Sequence, residues 1–312
     1  MDVMIVSGVR LDHAWVGLGA PFGSALRDWS RQVLALVVEE ANRRHAGVLL
    51  VAGDLFDRSY ALPATVDYAS QILGTFSGEV VIVPGRGDWF DGTSLYDTHA
   101  WASNISICRS AEYQPCVTAP AVWASAWTSP GGSAPRVPAA TEPRVLVRAE
   151  AADYDDRVLA VPHLVHDPRE PDGFALLIDI ARPSEPARRV DLPRQPGRAV
   201  DVDVTNTTET EALFIALEEV LIPDEPMLLR LVGTLAPGVL LPGFGGPERT
   251  LPPGVVLDLE SLTFSTPPVD PADHSARAEF IHAMAYANTP DLQRHQTTAL
   301  GLAALADSSR ET

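Results

Sequence analysis

Asp54 and Asp57, within Gly53-Asp54-Leu55-Phe56-Asp57, and Asp88, closing Pro84-Gly85-Arg86-Gly87-Asp88, are carboxylates placed just beyond two short apolar runs. Acids and imidazoles gathered in this way are the ordinary ligands of divalent cations such as Mg2+ and Mn2+. Asp12-His13 and His163-x-x-His166, with Asp167 beside it, are the other groups of that kind. Adjacent residues of an extended chain point to opposite faces, so one ion held by both Asp12 and His13 is not expected. The His163/His166 spacing suits a helix, but Pro162 and Pro168 bracket the pair and predict a loop with surface histidines. A single-metal centre built from Asp54 with Asp12, His13, Asp88 or His163 is the arrangement these residues leave open.

The elements that must position these groups alternate in type. Residues 4–7 read as a strand, and residues 24–45 as a helix in which Leu26, Trp29, Val33, Leu36 and Val37 recur every three or four positions. Residues 48–52 form a continuous apolar run of the kind buried on both faces of a sheet. Residues 63–76 predict a second helix, with proline at its start, and residues 80–83 a third strand. This order implies a mainly parallel sheet with its functional loops at the carboxyl ends of the strands. From 105 to 181 the pattern changes to strands without long helices (105–108, 122–127, 145–148, 158–161 and 174–180), predicting a second sheet stacked on the first. Residues 129–141, rich in Gly, Pro, Ser and Ala, read as a surface loop. Strands at 199–204, 227–232 and 255–259 around a helix at 209–221 predict a small α+β unit, and two helices broken at Thr289-Pro290 close the chain.

The 312 residues are 46% hydrophobic, enough to bury a sizeable core, so a disordered chain is excluded. Forty-one acids against 23 bases give −18, which argues against broad contact with phosphate backbones by this chain alone. Cys108 and Cys116 are too few for a disulfide framework and lack zinc-cluster spacing. The start of the chain lacks a basic, then apolar leader, and no apolar run reaches the ~20 residues of a membrane span, so a cytoplasmic protein with no membrane contact is expected.

Gly53-Asp54-Leu55-Phe56-Asp57 resembles the G-D-x-x-D motif of the calcineurin-like metallophosphoesterases, with the Leu-Phe filling of the SbcD type, the nuclease subunit of a DNA-repair complex. Pro84-Gly85-Arg86-Gly87-Asp88 stands where that family has G-N-H-D/E, and residues 172–183 resemble its closing segment D-x-F-D-Y-V-A-L-G-H-x-H-x-P except in the ligands. The resemblance covers residues 3 to 235. It implies a four-layer α/β/β/α sandwich (1–194), a small α+β capping domain (195–268) and a C-terminal helical tail (269–312). The family's chemistry rests on a pair of cations that activates water, and here the ligand positions are mostly emptied. The opening D-x-H falls on Val9-Arg10-Leu11, the asparagine on Arg86, the transition-state histidine on Gly87, and a later histidine on Arg148 or Ala149. The closing G-H-x-H falls on Ile178, Asp179, Ile180 and Ala181. Asp54 remains at the bridging position, Asp57 supports it, and Asp88 keeps a place that in the family only orients the histidine.

The resemblance therefore implies a catalytically degenerate scaffold or regulatory subunit in DNA repair or nucleic-acid processing, with no cofactor. It would be a homodimer and/or bind an SbcC-like SMC-type ATPase, and reach nucleic acid only indirectly. The alternative is an active phosphoesterase or exonuclease with a rearranged Mn2+ or Mg2+ site. Arg86, with Arg148, is expected to pair with Asp54 as a substitute for the lost cations. Arg182, Arg188, Arg189, Arg194 and Arg198 form the one basic cluster, read as a strand-edge patch before a phosphate-binding face. Trp89, Trp101, Trp123 and Trp127 are expected in packing before base stacking. Phe280, Ile281, Met284, Leu300, Leu302 and Leu305 give the C-terminal helices an apolar face, for a partner or for their own domain.

Overall fold

The computed structural model describes residues 1–129, 131–132, 145–147, 158–159, 163–170, 172–182, 185–243, 250–270 and 272–308. It is a mixed α/β structure with three sheets and six helices among these residues. The chain divides into two compact units, Met1–Gly17 with Gly23–Pro196, and Leu18–Phe22 with Gly197–Thr312.

In the first unit, β1 (Asp2–Val6), α1 (Gly19–Arg43, of this unit from Gly23 on), β2 (Val48–Ala52), α2 (Pro63–Gly74), β3 (Glu79–Val83), α3 (Leu95–Thr98) and β4 (Ile105–Ile107) follow in order, and β1 to β4 pair in parallel. Next come β5 (Gln114–Pro115), β6 (Val122–Ala124), β7 (Val145–Val147) and β8 (Val158–Leu159), which pair in sequence as a second sheet. β9 (Ala175–Asp179) and β10 (Arg188–Val190) then add to the first sheet, giving the order β10-β9-β1-β2-β3-β4 with β9 antiparallel to β1. Two strands expected in the second sheet, at 105–108 and 174–180, thus belong to the first. An apolar run announces a strand but not its partner, since pairing is set by contacts distant in sequence.

α1 begins five residues before its expected start at 24. Pro21 falls in its first turn, where backbone N–H groups have no intrahelical acceptor, so the proline costs the helix no hydrogen bond. Most of the 129–141 loop, and residues 148 and 160–161 of two expected strands, lie outside the described residues.

Strand alternation divides the core. Val3, Ile5, Val48, Leu50, Ala52, Val81 and Val83 share one cluster with Val122, Ala124 and Val147 of the second sheet. Met4, Val6, Leu49, Val51, Val80 and Ile82 face the other way and are also fully buried. Both faces being covered explains why these strands are apolar without alternation. At about 1.5–3 kcal/mol for each large side chain removed from water, this sheet is the main source of the unit's stability.

In the second unit, β11 (Arg198–Asp203), α4 (Thr210–Glu219), β12 (Met227–Leu235), β13 (Val255–Asp258), β14 (Leu262–Phe264), α5 (Ala276–Ala285) and α6 (Asp291–Ser308) follow in order. β12 is the central strand, with β11, β13 and β14 all parallel to it. Its core gathers Val202, Leu213, Leu217, Leu229, Leu231 and Leu241, with Leu292 of α6 packed against it. His295 Nε2 donates to the Val239 carbonyl at 3.0 Å, and Gln296 Oε1 accepts from the Leu241 amide at 3.2 Å. The helices read as a tail at 269–312 are in this way fastened to the same unit. Among the described residues no helix is long and apolar enough to cross a membrane.

Leu50 is fully buried in the central parallel strands. Leu50→Ala is expected to lower the unfolding free energy by about 2–5 kcal/mol, read as a lower midpoint in guanidinium denaturation.

Candidate functional site

The loops that leave β1 and β2 run side by side at the carboxyl ends of the strands. Gly8 N donates to Gly53 O (3.0 Å), Arg10 N to Asp54 O (2.9 Å), Leu11 N to Leu55 O (3.0 Å) and Asp57 N to Leu11 O (3.1 Å). Among the described residues, six that are not glycine have positive φ, and four of them, Arg10, Asp12, Trp15 and Asp54, lie in these two loops. A left-handed backbone costs an L-residue roughly 1–2 kcal/mol. Concentrating that strain here marks the loops as held in shape by the surrounding fold.

Asp88 is the group that holds them. It is 1% exposed and accepts four hydrogen bonds, from Asp54 N (3.1 Å), Gly85 N (2.6 Å), Leu55 N (2.7 Å) and Tyr96 Oη (2.6 Å). The carboxylate thereby clamps the turn after β2 to the turn after β3. Burial, and then the Asp54 charge, push its pKa up to about 7, against the pull of the Tyr96 hydroxyl and the Gly85 and Leu55 amides. Tyr96 is raised well above its ordinary value by burial and by Asp88. Nothing in sequence spacing pointed to Tyr96, whose role comes from α3 turning its side chain into the site.

Asp54, 6% exposed, has Oδ1 on the Gly87 amide (2.9 Å) and Oδ2 facing His163 Nε2 at 3.7 Å. Behind the ring, Arg10 Nη2 donates to His163 Nδ1 at 2.6 Å. An arginine can only donate, so this contact leaves the ring proton on Nε2, directed toward Asp54. Burial, followed by the Arg10 charge, lowers the His163 pKa to about 4, so the imidazole is neutral near pH 7. The ring lies over Gly8, where a Cβ would come within 2.4 Å of it.

The expected pairing of Arg86 with Asp54 is not formed. A Cβ at Gly85 would lie 2.5 Å from Asp54 Oδ1 and one at Gly87 would lie 3.1 Å from it, so these alternate residues face Asp54 and the residue between them faces away. Arg86 is exposed, with its guanidinium 5.5 Å over the Trp127 ring. The cation nearest in role is Arg10, between Val9 and Leu11, where the sequence pointed to no functional group. Val9 and Leu11, which stand where the resemblance implied two ligands, are fully buried apolar side chains. Arg148 lies outside the described residues.

Three other candidate ligands are committed elsewhere. Asp12 pairs with Arg31 (2.6 Å) and with the Thr65 hydroxyl. His13 Nδ1 meets Asp57 Oδ2 at 2.8 Å, and its ring packs edge-on to Trp15. His166, 3% exposed, is tied through its ring to the Asp167 carbonyl. It is therefore not the surface histidine expected. Asp179 and Ala181, read as the closing ligand positions, lie at the wrong end of the sheet. Because β9 is antiparallel to β1, Asp179 is paired with Asp2, at the start of β1, and bonds to Arg182. His163, bridged to Ser7 at the end of β1, is the histidine that reaches Asp54.

This donor set does not fit a pair of hard cations, which require about six ligands each. Both Asp88 oxygens are taken by N–H and O–H donors. Among the buried polar atoms near these loops that have no hydrogen-bond partner among the described residues are Ser7 Oγ and Trp15 Nε1. The indole nitrogen, like Arg10, can only donate and cannot ligate a metal. Among the described residues no group of three or more His, Cys, Asp or Glu is arranged to hold a metal ion.

The arginines of the basic cluster each face an acid: Arg182 with Asp179, Arg188 with Asp2, Arg189 with Asp191, Arg194 with Asp172 and Arg198 with Glu225. Two of them lie on β10, the edge strand of the first sheet. Trp89 lies under Arg58, Trp101 stacks on Tyr96, and Trp127 lies under Arg86. A scan of protein-family models finds no match to this chain, and a search of curated proteins finds no significant one.

Removing the Asp88 carboxylate strands four donors at once. Asp88→Ala is expected to lower stability by about 3 kcal/mol or more, given about 1–3 kcal/mol for each buried donor left unsatisfied, measured by chemical denaturation. The pH dependence has two opposed parts. Asp88 holds its proton more tightly when folded, so its contribution declines as pH rises from about 4 to about 7. His163 gives up its proton more readily when folded, so its contribution grows as pH rises from about 4 to 6.5. His163→Gln removes the second part alone. Between pH 4 and 7 the variant should lose about 3 kcal/mol relative to the parent chain, and parallel stability profiles would contradict the assignment.

Proposed function

We propose that this chain is a catalytically degenerate relative of the calcineurin-like metallophosphoesterases of the SbcD type. In this reading the first unit is the family's four-layer α/β/β/α sandwich, and the residues from 197 onward serve as capping domain and helical tail. The protein works as a scaffold or regulatory subunit in DNA repair or nucleic-acid processing, as a homodimer and/or bound to an SbcC-like SMC-type ATPase.

The observation that carries the proposal is the pairing of a preserved frame with emptied chemistry. The Gly53-Asp54 and Gly85-Asp88 turns meet at the ends of adjacent parallel strands, clamped by Asp88. Around Asp54, the places where ligands are expected hold an arginine, a glycine amide and two buried apolar side chains. The arginine stands in for positive charge: Arg10, acting through His163, opposes the Asp54 carboxylate. A buried carboxylate needs such compensation, since an uncompensated charge out of water is costly. The net charge of −18 and the acid paired with each clustered arginine support indirect contact with nucleic acid, through a partner.

One observation favours the alternative of an active, rearranged metal centre, namely the approach of His163 to Asp54 within 3.7 Å. Hydrolysis of bis(4-nitrophenyl) phosphate in Mn2+ separates the two. The expected rate is the metal-only background, unchanged by Asp54→Ala. Turnover above background that Asp54→Ala abolishes would establish the alternative. The expectation for labelled duplex DNA is no mobility shift by this chain alone at low salt.

A further inference from the structure

We infer that the second unit carries a binding site for a small uncharged ring compound bearing an N–H or O–H donor, with His295 as the acceptor. The inference rests on residues of that unit alone and is independent of the degenerate cleft.

A cavity of about 370 Å³ lies between β14 with its following residues 265–267, and the helices α5 and α6. This is near the lower end of the size range of small-molecule sites and suits one or two fused rings. Leu262, Phe264, Ile281 and Met284 line it with apolar and polarisable surface. The Phe264 ring is stacked on the His295 imidazole, with centroids 4.5 Å apart.

The polar groups of the lining are mostly committed. Thr298 Oγ1 donates to the Arg294 carbonyl at 2.8 Å, and Ser265 Oγ to the Leu235 carbonyl at 3.0 Å. Arg294 pairs with Asp291, so these two lining charges offset each other. His295 differs from them. It is 6% exposed, and its Nε2 donates to the Val239 carbonyl, which fixes the tautomer and leaves Nδ1 as a bare acceptor. No contact among the described residues takes up Nδ1. Burial lowers the pKa of this ring, so it stays an acceptor at neutral pH. An accessible acceptor set beside the Phe264 ring and the apolar side chains of Leu262, Ile281 and Met284 is matched by a guest that brings one donor on a flat apolar body.

The test is ligand-observed NMR titration of the full chain with phenol and indole, with benzene and acetate as controls. Phenol or indole should bind at least about tenfold more tightly than benzene, and acetate should not bind. His295→Phe should bring phenol down to the benzene level while leaving benzene unchanged. Ala285 is an exposed residue of α5 on the cavity lining, and Ala285→Trp should abolish binding with the thermal midpoint preserved. Phenol binding no better than benzene, or binding that survives Ala285→Trp, would overturn the inference, and the second arm stands even where His295→Phe does not fold.

Discussion

The carboxylate of Asp88 is the constraint on which the site depends. Two backbone turns, each carrying a positive-φ residue or a glycine packed against a neighbouring segment, are tied together by a common acceptor. Asp88 supplies it by taking amides from both turns and a hydroxyl from α3. The group is caught between two tendencies: burial and the nearby Asp54 favour its neutral form, while the converging donors favour the charged one. Its function is architectural, and the rest of the site is arranged around a frame that it closes.

A metal site presents acceptors that converge on cations. Here donors converge on acceptors: the Gly87 amide on Asp54, Arg10 on His163, and four groups on Asp88. The neutral imidazole between Arg10 and Asp54 passes the influence of a guanidinium to a carboxylate without a direct ion pair. Since an arginine cannot be deprotonated in proteins, the compensation is permanent, unlike that of an ion that can leave. Asp88 and His163 also bias stability in opposite directions as pH changes across the acid range.

The surface follows the same logic of local compensation. The chain is strongly acidic, yet its clustered arginines sit singly against acids, so the cluster offers no continuous positive field. On the edge strand β10, charged side chains at Arg188 and Arg189 protect unpaired backbone from adding to another sheet.

The sequence by itself determined the elements and the frame. Continuous apolar runs at Val48–Ala52 and Val80–Val83 identify strands buried on both faces, and the Gly-Asp pairs that follow them place carboxylates at the strand ends. Period and composition are local properties, and these features need nothing else. What tertiary structure decided is which groups meet. The antiparallel entry of β9 carried Asp179 to the far end of the sheet and left His163 at the near end. The alternation of Gly85, Arg86 and Gly87 turned the expected counter-charge outward, and a left-handed turn placed Arg10 behind His163 instead. Side-chain direction in an irregular loop depends on the backbone packed beside it, and so it is fixed by residues far away in the chain.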